Sequence, residues 1–104
     1  MRDDSLPFDK EADFARVAIK WLNSQENTWF VKYHASGYSN IGVPDLIGHI
    51  KGRFVAFELK ANQGKVTPIQ QLTIDKIFNT GGIAGPAYTM EAIKWKWKEV
   101  NDRA

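Results

Sequence analysis

At 104 residues the chain has the size of one compact domain, long enough for a real core but too short to carry a separate recognition domain. Fourteen Lys and Arg against twelve Asp and Glu leave a formal charge of only +2, so this is no uniformly basic coat for nucleic acid, and any polyanion must meet a local positive face. The absence of cysteine excludes disulfides, thiolate zinc sites and cysteine nucleophiles. The charged start of the chain does not read as a signal peptide and no apolar run approaches the roughly 18 residues of a membrane span, so a cytosolic location is expected.

In chain order, Asp9 is a good N-cap for a first helix from about Lys10 to Ser24, with Phe14, Ala15, Ala18, Trp21 and Leu22 on its inner face. Steps of three or four from Glu11 run through these positions, so this acid heads the inner face. It can equally serve as an early acid that complements the helix dipole, worth about 0.3 to 1 kcal/mol. Thr28 to His34 reads as a strand in which Trp29, Val31 and Tyr33 alternate with Phe30, Lys32 and His34. Residues 35 to 41 form a Gly/Ser/Asn loop leading to Pro44-Asp45.

Asp45 opens the apolar run Leu46 to Ile50, and Lys51-Gly52 is a two-residue hairpin turn into the strand Phe54 to Lys60. Alternation puts Val55, Phe57 and Leu59 on one face and Glu58 and Lys60 on the other, and the hairpin returns Asp45 to the end of the strand where they sit. Thr67-Pro68-Ile69-Gln70 starts the next helix with Thr as N-cap, Pro at the first position and Gln at the third, the pattern of a capping box. Asn79 to Gly82 ends that helix. Ile83 to Tyr88 is a short strand whose Pro86 favours a sheet edge. In the tail, Met90, Ile93, Trp97 and Val100 form one helix stripe, and Trp95 falls off it.

Two acids and a lysine at these places can form a metal-dependent phosphodiesterase site. Mg²⁺ takes oxygen ligands, keeps several waters and is usually held by one or two carboxylates together with substrate phosphate oxygens, a cradle that Asp45 and Glu58 can supply. A nearby lysine such as Lys60 can position or deprotonate the attacking water, or steady the developing anion. The competing reading is a solvated charge pair at a strand end with Asp45 as a turn former, which would explain an E-x-K spacing met in isolation. The hairpin context favours the site.

The segments Gly42-Val43-Pro44-Asp45-Leu46, Phe57-Glu58-Leu59-Lys60 and Thr67-Pro68-Ile69-Gln70, in this order after the helical Glu11, resemble the PD-(D/E)xK nuclease superfamily. Within it the similarity is greatest to stand-alone VRR-NUC nucleases, over roughly residues 8 to 90. The eponymous valine-arginine-arginine signature has no counterpart here. The resemblance implies an α/β restriction-endonuclease-like core, with a mixed central sheet of about four strands in the order αβββαβα. It implies Mg²⁺ or Mn²⁺ held by Asp45, Glu58 and the Leu59 carbonyl, with Glu11 a further ligand, and Asp45, Glu58, Lys60 and Gln70 as catalytic residues. The capping box and the site compete for the Gln70 amide, and both uses are not expected in one conformer.

Lys32, His34, Ser36, Tyr38, Asn40 and Lys65 are the candidate DNA contacts, each with an ordinary surface or locally bonded role as its alternative. Branched DNA such as a Holliday junction is the implied substrate, in repair or recombination, in a bacterium or a virus-infected cell. A homodimer is expected because symmetric cleavage needs two sites, with the off-stripe Trp95 a candidate subunit or DNA contact. Nicking or trimming of other DNA or RNA, and an inactive nucleic-acid-binding module, are the alternatives.

Overall fold

A computed structural model describes residues 2–34 and 42–104, so Ser36, Tyr38 and Asn40 lie outside the described residues. The elements are α1 (Glu11–Asn23), β1 (Thr28–Lys32), β2 (Leu46–Ile50), β3 (Arg53–Leu59), α2 (Pro68–Asn79), β4 (Ile83–Ala87) and α3 (Met90–Arg103). This is the expected αβββαβα order. The four strands form one mixed sheet in the order β1-β2-β3-β4, with β1–β2 and β2–β3 antiparallel and β3–β4 parallel. Among the described residues β1 and β4 are therefore the edge strands, and Pro86 does sit on one of them.

Alternation decides which face becomes core. Phe30, Leu46, Ile50, Val55, Phe57 and Leu59 point to one side, where they join Phe14, Ala15, Ala18 and Leu22 of α1 and Met90, Ile93 and Val100 of α3 in a single buried cluster. Trp21 and Trp97 close its rim edge to face at 5.7 Å, and the Trp97 indole N–H donates to Thr28 Oγ1 at 2.8 Å. Asn23 ties the end of α1 to β1 by exchanging two hydrogen bonds with the Phe30 backbone.

The turn Lys51-Gly52 has positive φ at both residues (51° and 81°), as a hairpin of matching twist requires. The first helix departs from expectation at its start: the N-cap is Lys10, with no side-chain cap, and Asp9 does not serve. The extended stretch before it is instead held by packing. Phe8 is buried and stacks on Phe14 with ring centroids 4.7 Å apart, and its carbonyl accepts from Asn62 N at 2.9 Å.

Helix α2 lies over β4 on the opposite face of the sheet, and its one buried apolar residue is Ile74. It begins as the sequence predicts, with Thr67 accepting from Gln70 N and the Gln70 side chain accepting from Thr67 N. Helix α3 has a cap that the sequence reading passed over, Thr89 Oγ1 accepting from Ala92 N at 3.1 Å. Among the described residues no helix is long and apolar enough to cross a membrane.

Candidate active site

The β2–β3 register pairs Leu46 with Phe57, so one step beyond the ladder Asp45 comes opposite Glu58. Here the pairing is continued by a side chain: Asp45 Oδ2 accepts from Leu59 N at 2.8 Å. In an extended strand the N–H and C=O of one residue point the same way, so the Leu59 carbonyl faces the Asp45 side as well. Two features fix the entry to Asp45. Pro44 is fully buried, and Gly42, at φ +84°, presses so closely on α2 that a Cβ there would stand 2.8 Å from the Ile69 carbonyl oxygen.

Glu58 and Lys60 are the buried charged residues of the described chain, at 2% and 8% exposure. Strand β3 ends at Leu59, one residue earlier than expected, yet the two side chains still share a side and meet at 3.6 Å. Burying an ion pair is costly unless further hydrogen bonds satisfy it, and Gln70 supplies them. Its Oε1 accepts from Lys60 Nζ at 2.8 Å, and its Nε2 donates to Glu58 Oε2 at 3.2 Å.

The same Oε1 accepts from Thr67 N at 2.9 Å, closing the capping box. The expected conflict between cap and site is thus overturned: an amide oxygen has two lone pairs, and here one serves the helix and the other the lysine. Sequence reasoning treated the amide as a single acceptor. It therefore missed that the Thr67 backbone N–H fixes which end of Gln70 faces Lys60.

Negative charge is in excess. Burial pushes the Glu58 carboxyl up to about 8, reinforced by hydrogen bonding to Asp45 and by its charge, while Lys60 pulls the other way. Burial also leads in raising Glu11 to about 7, again with Asp45 adding and Lys60 and Lys32 opposing. Glu11 keeps much of its surface in solvent, yet these interactions bring its carboxyl to the Asp45 end of the sheet. Among the described residues, no group of three His, Cys, Asp or Glu side chains is placed to hold a metal ion. The donor set of two carboxylates, Asp45 and Glu58, beside the Leu59 carbonyl instead suits a hard cation that keeps waters and shares substrate oxygens.

Of the remaining expected residues, Lys32 is half-buried and pairs with Leu46, so it points to the α1 face of the sheet and not to the face of Glu58 as expected, and its charge is felt by Glu11. His34 is exposed just beyond β1, and Lys65 is exposed in the loop before α2. Neither contacts the cluster of Glu58, Lys60 and Gln70. Trp95 is 64% exposed, off the buried stripe of α3 as its spacing predicts.

No family model and no curated protein matches the chain. Among solved structures it is similar to one described as a VRR_NUC domain protein, with a TM-score of 0.77 and 19% identity over 91% of this chain and 90% of that one. The architecture is therefore the restriction-endonuclease-like fold of a VRR_NUC domain, and the resemblance drawn from Pro44-Asp45 and Glu58-Leu59-Lys60 holds at the level of fold.

Proposed function

We propose that this protein is a metal-dependent, structure-specific endodeoxyribonuclease that hydrolyses phosphodiester bonds in branched DNA. The observation that carries the reading is the buried Glu58–Lys60 pair, locked by Gln70 beside Asp45 at the end of the central strands of a VRR_NUC fold. Structural charges are rarely buried in this way without a role.

In this reading Asp45, Glu58 and the Leu59 carbonyl hold Mg²⁺ or Mn²⁺, and Glu11 adds negative charge near Asp45 without joining a three-carboxylate ligand group. The bound ion lowers the pKa of an attacking water and neutralises charge that develops on phosphate. Lys60 orients that water or steadies the anion, and Gln70 keeps its ammonium aimed. Lys32, beside Glu11, meets a phosphate of the substrate, with His34 and Lys65 as outer contacts. Two copies of the chain supply the two cuts of a symmetric junction, and the exposed Trp95 gives each copy an apolar contact.

The test is cleavage of labelled four-way junction, flap, nicked, linear duplex and RNA substrates with Mg²⁺, Mn²⁺ or EDTA. The proposal expects metal-dependent cutting with junction preferred. Binding without cutting under every metal would instead make the protein an inactive binding module.

A further inference from the structure

Helix α2 covers only the β3–β4 half of its face of the sheet, and on the uncovered half the strand register lines up three rings. Trp29 pairs with His49, and His49 pairs with Phe54, so the three stand side by side across β1, β2 and β3 on one face. Trp29 is 55% exposed and Phe54 44%. Val31 and Ile47 form the next row, and together with Gly48 and Gly52 these residues line an open groove of about 470 Å³. His49 is fixed within it: its Nδ1 accepts from Gly52 N at 3.2 Å, so the neutral ring carries its proton on Nε2.

We infer that the Trp29–His49–Phe54 row is a stacking platform for unpaired nucleobases of the strand that enters the neighbouring site. The inference rests on the nucleic-acid reading of that site. Three observations support it. The platform leads to the site along β2, where Ile47 and His49 share a face with Asp45 and are only partly buried, whereas Ala56 and Glu58 on the same face of β3 are buried. From His49 to Asp45 is about 13 Å at roughly 3.3 Å per residue, the length of about four stacked nucleotides.

The size of the platform also fits bases better than a folded partner. Three strands and two rows measure roughly 10 Å each way, far less than the ~800 Å² that a stable partner covers on each side. Finally, among the described residues no Lys, Arg, Asp or Glu lines the groove, so it takes base faces rather than phosphates, the sequence-tolerant mode of single-strand binding. Branched and flapped DNA offers such unpaired bases, whereas intact duplex keeps them stacked.

The experiment is fluorescence anisotropy with a labelled mixed-sequence 12-nucleotide single strand and the matching duplex, in EDTA so that nothing is cut, over a range of salt. Trp29→Ala and Phe54→Ala should each weaken single-strand binding about tenfold, leave duplex binding within twofold and leave the salt slope unchanged, because no phosphate contact is lost. Trp29→Leu keeps apolar bulk without a ring and should lose as much as Ala, while Trp29→Phe should keep most of the affinity. Thermal unfolding of each variant checks that the fold persists.

Single-strand affinity that is unchanged in Trp29→Ala and Phe54→Ala overturns the platform. So does restoration by Trp29→Leu, or a shift from dimer to monomer in sedimentation without loss of single-strand affinity, which would make this face a subunit contact. Cleavage is read separately. A wild-type protein that binds single strands through these rings but never cuts removes the nuclease reading and leaves the platform. Cutting with ring-independent binding removes the platform alone.

Discussion

At the scale of single residues, the spacing Glu58-x-Lys60 places two opposite charges on one face of a strand, and burial makes them more than a surface pair. Replacing Lys60 by Ala leaves Glu58 buried without its cation and should lower cleavage by about 10²–10⁴-fold, read as kcat on the preferred substrate. Gln70→Glu is a sharper probe. It retains an acceptor for Thr67 N and Lys60 Nζ, so the helix cap should persist. It also removes the donor to Glu58 and adds a negative charge, which should raise the Glu58 pKa further and move the acid limb of the pH–rate profile upward.

The raised carboxyls also make a prediction about stability. Glu58, at about 8, and Glu11, at about 7, hold protons in the folded state that the unfolded chain releases near the ordinary value of 4.5. The native state then binds more protons between those values, so stability is full below about pH 4.5 and is lost as pH rises toward 8. Metal-free protein should therefore melt at a lower temperature at pH 8 than at pH 5, as measured by calorimetry. In the proposed function, Mn²⁺ added at pH 8 restores that loss by binding only the folded state, and fails to do so in Asp45→Asn.

At the scale of elements, the hairpin and the start of α2 were plain in the sequence because each is local. Lys51-Gly52 between two apolar runs specifies a tight turn, and Thr-Pro-x-Gln specifies a cap. Asp45, Glu58 and Lys60 came together in the expected way because the hairpin sets their register. The first helix was misjudged at its cap, since Asp9 satisfies the local rule while the packing of Phe8 on Phe14 sets where the chain turns into the helix. Tertiary contact outweighed local preference there.

The cap of α2 is also an arm of the site, and this yields an element-scale prediction. Thr67→Ala removes the Oγ1 that accepts from Gln70 N at 3.3 Å and should cost about 1 kcal/mol, or roughly 4–8 °C of melting temperature. If the helix start also aims the Gln70 amide, kcat should fall severalfold with KM little changed, and Thr67→Ser should restore both. A loss of stability with full kcat would show the cap to be structural only.

At the scale of the whole molecule, the chain is flat, with extents of 37 × 32 × 19 Å. Its short axis is close to that of a sheet with one layer of helices, because α1 and α3 share one face and α2 covers part of the other. That asymmetry could not be read from the sequence. Trp29-Phe30-Val31 is apolar on both faces of β1, as a strand covered on both sides would be, and only the position of α2 over β4 leaves Trp29 and Val31 uncovered. The edge strand β4, which pairs with no further strand among the described residues, and the exposed Trp95 leave room for a second copy. The proposed homodimer predicts a sedimentation coefficient near that of a two-chain particle at working concentration with junction DNA, and a monomer alone under those conditions would contradict it.

The central claim is that Asp45, Glu58 and Lys60 hydrolyse DNA with a divalent cation, and the most direct measurement is the initial rate of cleavage of a labelled four-way junction. For the wild type, Asp45→Asn and Lys60→Ala it is taken in Mg²⁺, Mn²⁺ and EDTA. The account predicts cutting by the wild type with either metal, none in EDTA, and losses of at least ~100-fold in both variants. Metal-dependent cutting that survives both substitutions would contradict it.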